Sequence, residues 1–331
     1  MTSVTSENTE NADILISVRN LQVEYKTRRG SLRAVDGVSF DIYKNEVFGL
    51  AGESGCGKST IAHAIIRLLK SPAHVVGGEI LFREKDILSL NARELKKIRW
   101  ESISFVSQSA MNALNPVMTV GDQIVDAIQA HTSMKRAAAR KRAAELLDTV
   151  GIDKKRIDSY PHQLSGGMRQ RAIIAIALSL QPELVIMDEP TTALDVVVQK
   201  QIMQELQQLK DRFEFSVLFI THDLSLLVEF SDRLAIMYAG EIVELGASRD
   251  VFNTPQHPYT DRLMRSFPTL YGDRKELLGI PGSPPDLIAP PTGCRFHPRC
   301  QVAIQGPCQK DRPDLSHIKD RHFAACHLIP R

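Results

Sequence analysis

The sequence predicts an α/β fold in which a mostly parallel sheet carries helices on its faces. Short apolar runs with strand character alternate along the chain with segments of helical periodicity. A glycine-rich loop at residues 52–59 follows one of these strands and precedes a helix, which is the placement of a phosphate-binding loop. The length of 331 residues also exceeds what one ordinary α/β core needs, and indicates a main domain with an extension.

Apolar alternation and helical periodicity define the elements in the first half of the chain. In order, the predicted elements are strands at 14–25, 38–43 and 46–51, a helix at 59–70, strands at 79–82 and 103–106, and helices at 121–131 and 134–150. The last two helices predict a helical subdomain at about 110–165 that is inserted into the α/β core.

Strand and helix alternation resumes after this insertion and closes with a hairpin-like pair. The predicted elements are a helix at 168–179, a buried strand at 184–187, a helix at 198–212 and strands at 217–220, 233–238 and 241–245. We therefore predict a disordered tail at 1–13 and a nucleotide-binding domain at 14–256. Residues 257–331 are Pro-rich and form a C-terminal extension, for which we expect little structure before its cysteines.

Composition excludes several classes of function. The formal net charge is +2, and no segment carries the basic excess that is typical of a nucleic-acid-binding surface. No apolar run reaches the ~18 to 20 residues needed to span a bilayer, and the polar, acidic start does not resemble a signal peptide. We expect a cytosolic protein whose membrane role, if it has one, depends on partners.

The glycine-rich loop matches the pattern G-x-x-x-x-G-K-S. Backbone N–H groups of such a loop converge on the β-phosphate, and the following helix adds the positive end of its dipole. Lys58 would reach the β- and γ-phosphates and Ser59 would ligate Mg²⁺, whereas Cys56 reads as a small filler residue. The predicted nucleotide-binding residues of this segment are Gly52, Glu53, Ser54, Gly55, Cys56, Gly57, Lys58, Ser59 and Thr60.

Two carboxylates follow the buried strand at 184–187, which delivers them to the carboxyl edge of the sheet. Asp188 would hold Mg²⁺, directly or through water, and Glu189 would polarise the water that attacks the γ-phosphate. A hydrophobic strand that ends in Asp-Glu is a weak signal by itself. Downstream of a phosphate-binding loop it indicates nucleotide hydrolysis.

The segment Leu-Ser-Gly-Gly-Met-Arg-Gln at 164–170 opens a predicted helix with exposed N–H donors, and so forms a second anion site. This segment resembles the signature sequence of ABC ATPases. The resemblance implies the P-loop ABC-type nucleotide-binding domain, with ATP and Mg²⁺ as ligands and ATP hydrolysis as the reaction. In that family two ATPase domains pair head to tail, so Ser165, Gly166 and Gly167 would contact the ATP of the partner.

Other positions match the family one by one. Gln108 resembles the glutamine that senses Mg²⁺ and the γ-phosphate, and His222 resembles the switch histidine that contacts the γ-phosphate. Asp195 resembles the aspartate of the loop that follows the catalytic glutamate. Tyr25 resembles the aromatic residue that stacks on adenine, which is worth roughly 1–3 kcal/mol for an aromatic ring. A strand tyrosine that merely packs remains the alternative for Tyr25.

The C-terminal motifs at 257–260, 280–282 and 293–300, and the segment 114–121 before them, resemble the oligopeptide/dipeptide importer ATPases. The resemblance implies a second ATPase subunit, for which family practice favours a paralogue, and two permease subunits that contact residues 114–121. It also implies an extracellular substrate-binding protein and a place at the cytoplasmic face of the membrane. Residues 108–113 depart from the expected pattern. An importer of oligosaccharides or nickel chelates therefore remains an alternative. A soluble ABC ATPase without a permease is the alternative from another class of function.

Four of the five cysteines lie in the extension, with gaps of five, seven and seventeen residues. These are Cys294, Cys300, Cys308 and Cys326. Zinc sites usually contain a tight C-x₂₋₄-C pair, which is absent here, and four thiolates also suit an iron–sulfur cluster. The family resemblance implies a [4Fe–4S] cluster, with zinc and free cysteines as alternatives. We expect its role to be structural and the nucleotide site to be independent of the extension.

Overall fold

The computed structural model describes residues 14–107, 113–190, 195–266 and 279–329. The described strands, in chain order, are β1 (Ile14–Thr27), β2 (Gly30–Tyr43), β3 (Val47–Gly52), β4 (Ala73–Phe82), β5 (Lys85–Asp86), β6 (Ile103–Val106), β7 (Leu184–Asp188), β8 (Ser216–Ile220), β9 (Arg233–Tyr238), β10 (Glu241–Ala247), β11 (Ser316–Lys319) and β12 (His322–Ala324). The described α-helices are α1 (Lys58–Ile65), α2 (Ala92–Ile98), α3 (Val120–His131), α4 (Arg136–Thr149), α5 (Gly166–Ala177), α6 (Val196–Phe213), α7 (Leu224–Phe230), α8 (Ser248–Asn253), α9 (Pro258–Arg265) and α10 (Pro307–Lys310). The predicted tail at 1–13 lies outside the described residues.

These elements form two compact units. The first unit extends to Ser89 and resumes at Ile220, and the second spans Leu90–Phe219. The predicted helical subdomain falls within the second unit and contains α3 and α4. No helix within the described ranges is long and apolar enough to cross a membrane.

The first unit contains an antiparallel sheet in the order β2-β1-β4-β5. A tight connection joins β1 to β2, with Thr27 opposite Gly30 and Val23 opposite Val35. Alternate residues of β1, such as Leu21 and Val23, are buried on one face, as the apolar alternation of the sequence predicts.

Five further strands of the first unit run in the order β11-β12-β10-β9-β3. β3 and β9 are parallel, and β3 is buried along nearly its whole length, as expected for a strand covered on both faces. β9 and β10 form the predicted antiparallel hairpin. Strand β12 of the extension pairs with β10, with Glu244 opposite Ala324.

The second unit contains the parallel pair β6 and β7, with β8 beside β7. Thr119 directly precedes helix α3, and its hydroxyl group accepts the N–H of Asp122 at 3.1 Å. This is a normal N-terminal cap. Helices α5 and α6 are joined by an ion pair between Arg171 and Glu205, at 2.6 Å between Nη2 and Oε1.

The extension has more structure than its composition suggests. Helix α9 begins directly after His257, with Pro258 at a position where a helix tolerates proline. The side chain of Tyr259 on this helix is completely buried. The expectation of little structure before the cysteines is therefore wrong for Pro258–Arg265, because a buried aromatic residue anchors the chain there. Residues 267–278 lie outside the described ranges.

Candidate nucleotide-binding site

The loop between β3 and α1 passes very close to neighbouring backbone. Gly52 and Gly57 have φ angles of 147° and 112°, in the region that favours glycine. A Cβ atom on Gly52 would lie 2.2 Å from the carbonyl oxygen of Met237, and one on Gly57 would lie 2.4 Å from that of Ala34. Because backbone atoms cannot move aside cheaply, the loop requires glycine at both positions.

Lys58 is the first residue of α1 and folds back onto the loop. Its Nζ donates to the carbonyl oxygen of Gly52 at 2.8 Å and to that of Glu53 at 3.1 Å. The thiol of Cys56 lies 3.7 Å from the same nitrogen. Burial raises the pKa of Cys56 even though the Lys58 ammonium group opposes the shift, so the thiol is neutral at physiological pH. The ammonium group is thus held at the place where a phosphate-binding loop receives phosphate oxygens.

Two more predicted site residues of the first unit lie near this loop. The hydroxyl group of Tyr25 is hydrogen-bonded to Oγ1 of Thr60, at 3.1 Å. His222, directly after β8, lines a cavity of about 300 Å³ together with loop residues Gly52, Glu53 and Ser54. The structure therefore brings Tyr25, the phosphate-binding loop and His222 together in one unit.

The two predicted carboxylates lie at the end of β7 in the second unit. All five residues of β7 are buried, and Asp188 is 2% exposed. Glu189 follows with a φ angle of 49°, in the left-handed region that is unfavourable for a non-glycine residue. Such strain is typical of functional sites, where the surrounding structure holds a side chain in a required direction.

The signature segment forms the beginning of α5. Ser165 is exposed and caps the helix, and its Oγ accepts the N–H of Met168 at 3.3 Å. A Cβ atom on Gly167 would lie 3.0 Å from Cγ1 of Val198 in α6, so the two helix beginnings are adjacent. Asp195 caps α6 by accepting the N–H of Val198 at 3.0 Å. Gln108, the predicted sensor of Mg²⁺ and the γ-phosphate, lies outside the described ranges.

Contacts from the extension to the phosphate-binding loop were missed by sequence reasoning. The hydroxyl group of Tyr259 accepts the backbone N–H of Glu53 at 3.0 Å. The guanidinium group of Arg299 forms two hydrogen bonds with the Glu53 carboxylate, at 2.7 and 3.0 Å. The expectation that the nucleotide site is independent of the extension is therefore wrong. The only signal in the sequence is the presence of an aromatic residue and an arginine within the Pro-rich motifs.

The four cysteines of the extension line one small cavity of about 10 Å³. Burial raises the pKa of Cys294 to about 12, and the other three thiols add to this shift. Among the described residues, however, no three His, Cys, Asp or Glu side chains are arranged to hold a single metal ion. A zinc ion needs four thiolates at about 2.3 Å from one centre, and the described residues contain no such arrangement.

The fold and the loop geometry define a P-loop nucleotide-binding protein. Comparison with protein families matches residues 35–192 to the ABC transporter family and residues 243–308 to the oligopeptide/dipeptide transporter C-terminal region. The chain is 45% identical over 317 residues to the dipeptide transport ATP-binding protein DppD of Bacillus subtilis, covering 95% of this chain and 94% of that protein. It is 42% identical over 319 residues to the oligopeptide transport ATP-binding protein OppD of the same organism, covering 95% and 89%. The chain belongs to the ABC transporter family and is an ABC-type ATP-binding subunit with ATPase activity.

Solved structures agree with this assignment. The dimeric ATP-binding cassette MJ0796 bound to ADP and Pi is 31% identical, with a TM-score of 0.63, over 71% of this chain and 99% of that chain. The protein cbiO1 from Clostridium perfringens, part of the ABC transporter complex cbiONQ, is 28% identical with a TM-score of 0.64, over 73% and 92%. The predicted ABC-type fold is confirmed.

Proposed function

We propose that this chain hydrolyses ATP to energise the import of oligopeptides or dipeptides through a membrane complex. One observation carries the proposal: a phosphate-binding loop with a buried lysine occurs in the same chain as the oligopeptide/dipeptide transporter C-terminal region. The names of the relatives, which are dipeptide and oligopeptide transport ATP-binding proteins, support this choice of substrate.

The residue roles follow from chemistry at the ends of the strands. Asp188 and Ser59 hold Mg²⁺ with Gln108, and Glu189 polarises the attacking water. Lys58 and His222 contact the phosphates, and Tyr25 stacks on adenine. The strained backbone of Glu189 and the buried position of Asp188 support the assignment of the carboxylates.

A second ATPase subunit, a paralogue as in the family, completes each nucleotide site in this proposal. The exposed beginnings of α5 and α6 support this proposal. Val196 and Val197 are 69% and 77% exposed, although both are apolar, and they lie beside the signature helix. An exposed apolar patch next to an anion-binding helix start suits a partner that brings ATP to Ser165, Gly166 and Gly167.

Two permease subunits dock on the second unit, which places the complex at the cytoplasmic face of the membrane. A groove of about 470 Å³ supports this part of the proposal. Apolar residues form much of its wall, and Val117 in the segment next to it is 78% exposed. Such a groove suits an amphipathic helix of a partner protein. The permease passes on peptides that an extracellular substrate-binding protein delivers.

The cysteines of the extension hold an iron–sulfur cluster in this proposal. Four thiols line one cavity, and burial raises the pKa of Cys294, Cys300 and Cys326, so binding of iron must release protons from these three. Protein purified without oxygen should be brown and contain roughly four irons per chain. Each of Cys294→Ser, Cys300→Ser, Cys308→Ser and Cys326→Ser should lose the colour. A colourless anaerobic preparation with freely alkylated thiols would contradict the cluster.

The function is tested in the importer reconstituted into vesicles. Glu189→Gln should abolish ATP turnover while ATP binding persists, because it removes the charge that polarises water and keeps the shape of the side chain. Uptake of labelled di- and oligopeptides should stop with it. Turnover within about a factor of ten of the unaltered protein would show that the role is misassigned. Uptake of an oligosaccharide or a nickel chelate, but no peptide, would change the substrate.

A further inference from the structure

We propose that Arg299 and Tyr259 of the C-terminal extension are positioning residues for ATP binding, acting through Glu53 of the phosphate-binding loop. The inference rests on the nucleotide-binding role proposed for that loop. Neither residue belongs to the nucleotide motifs. Both come from the extension, which was expected to be independent of the nucleotide site.

Arg299 holds the side chain of Glu53 with a rigid fork. Nη1 lies 2.7 Å from Oε2 and Nη2 lies 3.0 Å from Oε1 of the carboxylate. Nε donates to the carbonyl oxygen of Pro281 at 2.6 Å, and Nη2 also donates to that of Gly282 at 3.3 Å. The Arg299 side chain is 6% exposed, and a buried two-point contact of this type is stronger and more specific than a surface ion pair.

The backbone of Glu53 is held at the same time from two directions. Its N–H donates to the hydroxyl group of Tyr259 at 3.0 Å, and its carbonyl oxygen accepts from Nζ of Lys58 at 3.1 Å. The extension therefore fixes the side chain and the amide group of the residue whose carbonyl group anchors the phosphate-binding lysine. A shift of Glu53 would move one of the two carbonyl groups that hold Lys58.

The extension can act in this way because its own residues are rigidly packed. Tyr259 contacts Tyr238 at the end of β9 and Phe296 in the extension, with ring centroids 4.6 and 5.3 Å apart. All three rings are at most 2% exposed. Arg295 adds an ion pair to Glu241 at 2.8 Å and another to Asp36. The groups that hold Glu53 are thus ordered before ATP arrives.

Removing this support should affect binding more than chemistry. Without Arg299, the loop must be ordered by ATP itself, and the conformational cost is taken from the binding free energy. We expect about a tenfold weaker affinity for ATP and a KM raised by about the same factor. The value of kcat at saturating ATP should change by less than about twofold, because the occupied loop has the same contacts to phosphate.

The test measures binding of a fluorescent ATP analogue to the full chain, and kcat and KM in the reconstituted importer. Arg299→Gln and Glu53→Gln should each weaken binding about tenfold, and the double variant should be no weaker than either single one, because both remove the same contact. Tyr259→Phe, which removes one oxygen atom, should weaken binding about three- to tenfold by leaving the N–H of Glu53 unpaired. The matched control is Arg265→Gln, the same substitution at an exposed ion pair to Asp261 on α9, and it should leave binding unchanged.

Two outcomes separate failure of the inference from failure of the site. If Lys58→Ala loses the analogue while Arg299→Gln and Tyr259→Phe keep the affinity of the unaltered protein, the positioning role is overturned and the nucleotide site stands. If Lys58→Ala binds as well as the unaltered protein, the nucleotide site itself is misplaced and the inference falls with it. Additive losses in the double variant would also overturn the inference. If Arg299→Gln does not fold, the Tyr259→Phe result alone decides between these outcomes.

Discussion

Lowering the pH from 7 to 5 should loosen helix α9, because His257 at its beginning must stay neutral. The imidazole group is 1% exposed and caps the helix, with Nδ1 accepting the N–H of Tyr259 at 3.0 Å. Burial lowers the pKa of His257 from 6.5 to about 3. The carboxylate of Glu244 lies close by, but it accepts the backbone N–H of His257 and is hydrogen-bonded to His322. A proton on Nδ1 would also turn the capping acceptor into a donor.

The size of the effect follows from the two pKa values. Above pH 6.5 the histidine is neutral whether α9 is folded or not, and its contribution to stability is complete. As the pH falls, the unfolded segment takes up a proton that the folded segment refuses, so stability is lost until the pH reaches the folded pKa. At about 1.4 kcal/mol per pH unit, the loss between pH 7 and pH 5 is about 2 kcal/mol. This corresponds to about a 30-fold larger opening constant.

Hydrogen exchange of the α9 amides at the two pH values measures this loss, after correction for the intrinsic chemical rate. The matched control is His257→Asn, whose side-chain oxygen can still cap the helix but cannot take up a proton. The unaltered protein should lose protection about 30-fold at pH 5 relative to the variant. An equal pH dependence in both proteins would refute the argument, because the remaining histidines and carboxylates are common to both.

Three further predictions concern single positions. Ser165→Arg should block hydrolysis of the ATP bound by the partner subunit. The check is to measure which subunit retains ATP. Loss of hydrolysis only at the site of the altered subunit would contradict the head-to-tail arrangement. Gly57→Ala should lower analogue binding by at least about tenfold, because its Cβ atom would meet the carbonyl group of Ala34 at 2.4 Å, and binding equal to the unaltered protein would show that the loop can adjust. Phe296→Ala should lower the free energy of unfolding by about 3–5 kcal/mol, seen as a lower Tm, because it removes a ring that is 2% exposed; a loss below about 1 kcal/mol would mean that the site collapses onto the gap.

Many of the strands could be predicted because their signals are local. The predicted strands at 103–106 and 233–238 are confirmed as β6 and β9. The helix predicted to reach residue 70 ends instead at Ile65, since Arg67 adopts a φ angle of 50° and the chain then approaches Pro72. The apolar residues after Ile65 continue the helical pattern, but Leu68 is exposed in the structure.

The contacts that complete the loop could not be predicted in the same way. Arg299 and Glu53 are separated by 246 residues, and no periodicity or spacing relates them. Their pairing depends on α9 and on the packing of Tyr259 against Tyr238, which place the extension beside β9. The motif that contains Arg299 could be identified from the sequence, but it was assigned a structural role separate from the nucleotide site. In the folded chain the same short motif carries Cys294 and Cys300 and also contacts Glu53 through Arg299.

Two arginines that contact the nucleotide-binding domain lie between two of the cysteines, and this gives the cysteines a role besides metal binding. Arg295 and Arg299 lie between Cys294 and Cys300, and the first arginine contacts Asp36 in β2 while the second contacts Glu53 in the loop. The carbonyl oxygen of Cys308 accepts the N–H of Cys294 at 2.9 Å, which fixes one end of this segment. A restraint on Cys294 and Cys300 also restrains Arg295 and Arg299, because only five residues separate the two cysteines. Local opening of the extension would therefore break the contacts of Arg295 with Asp36 and of Arg299 with Glu53.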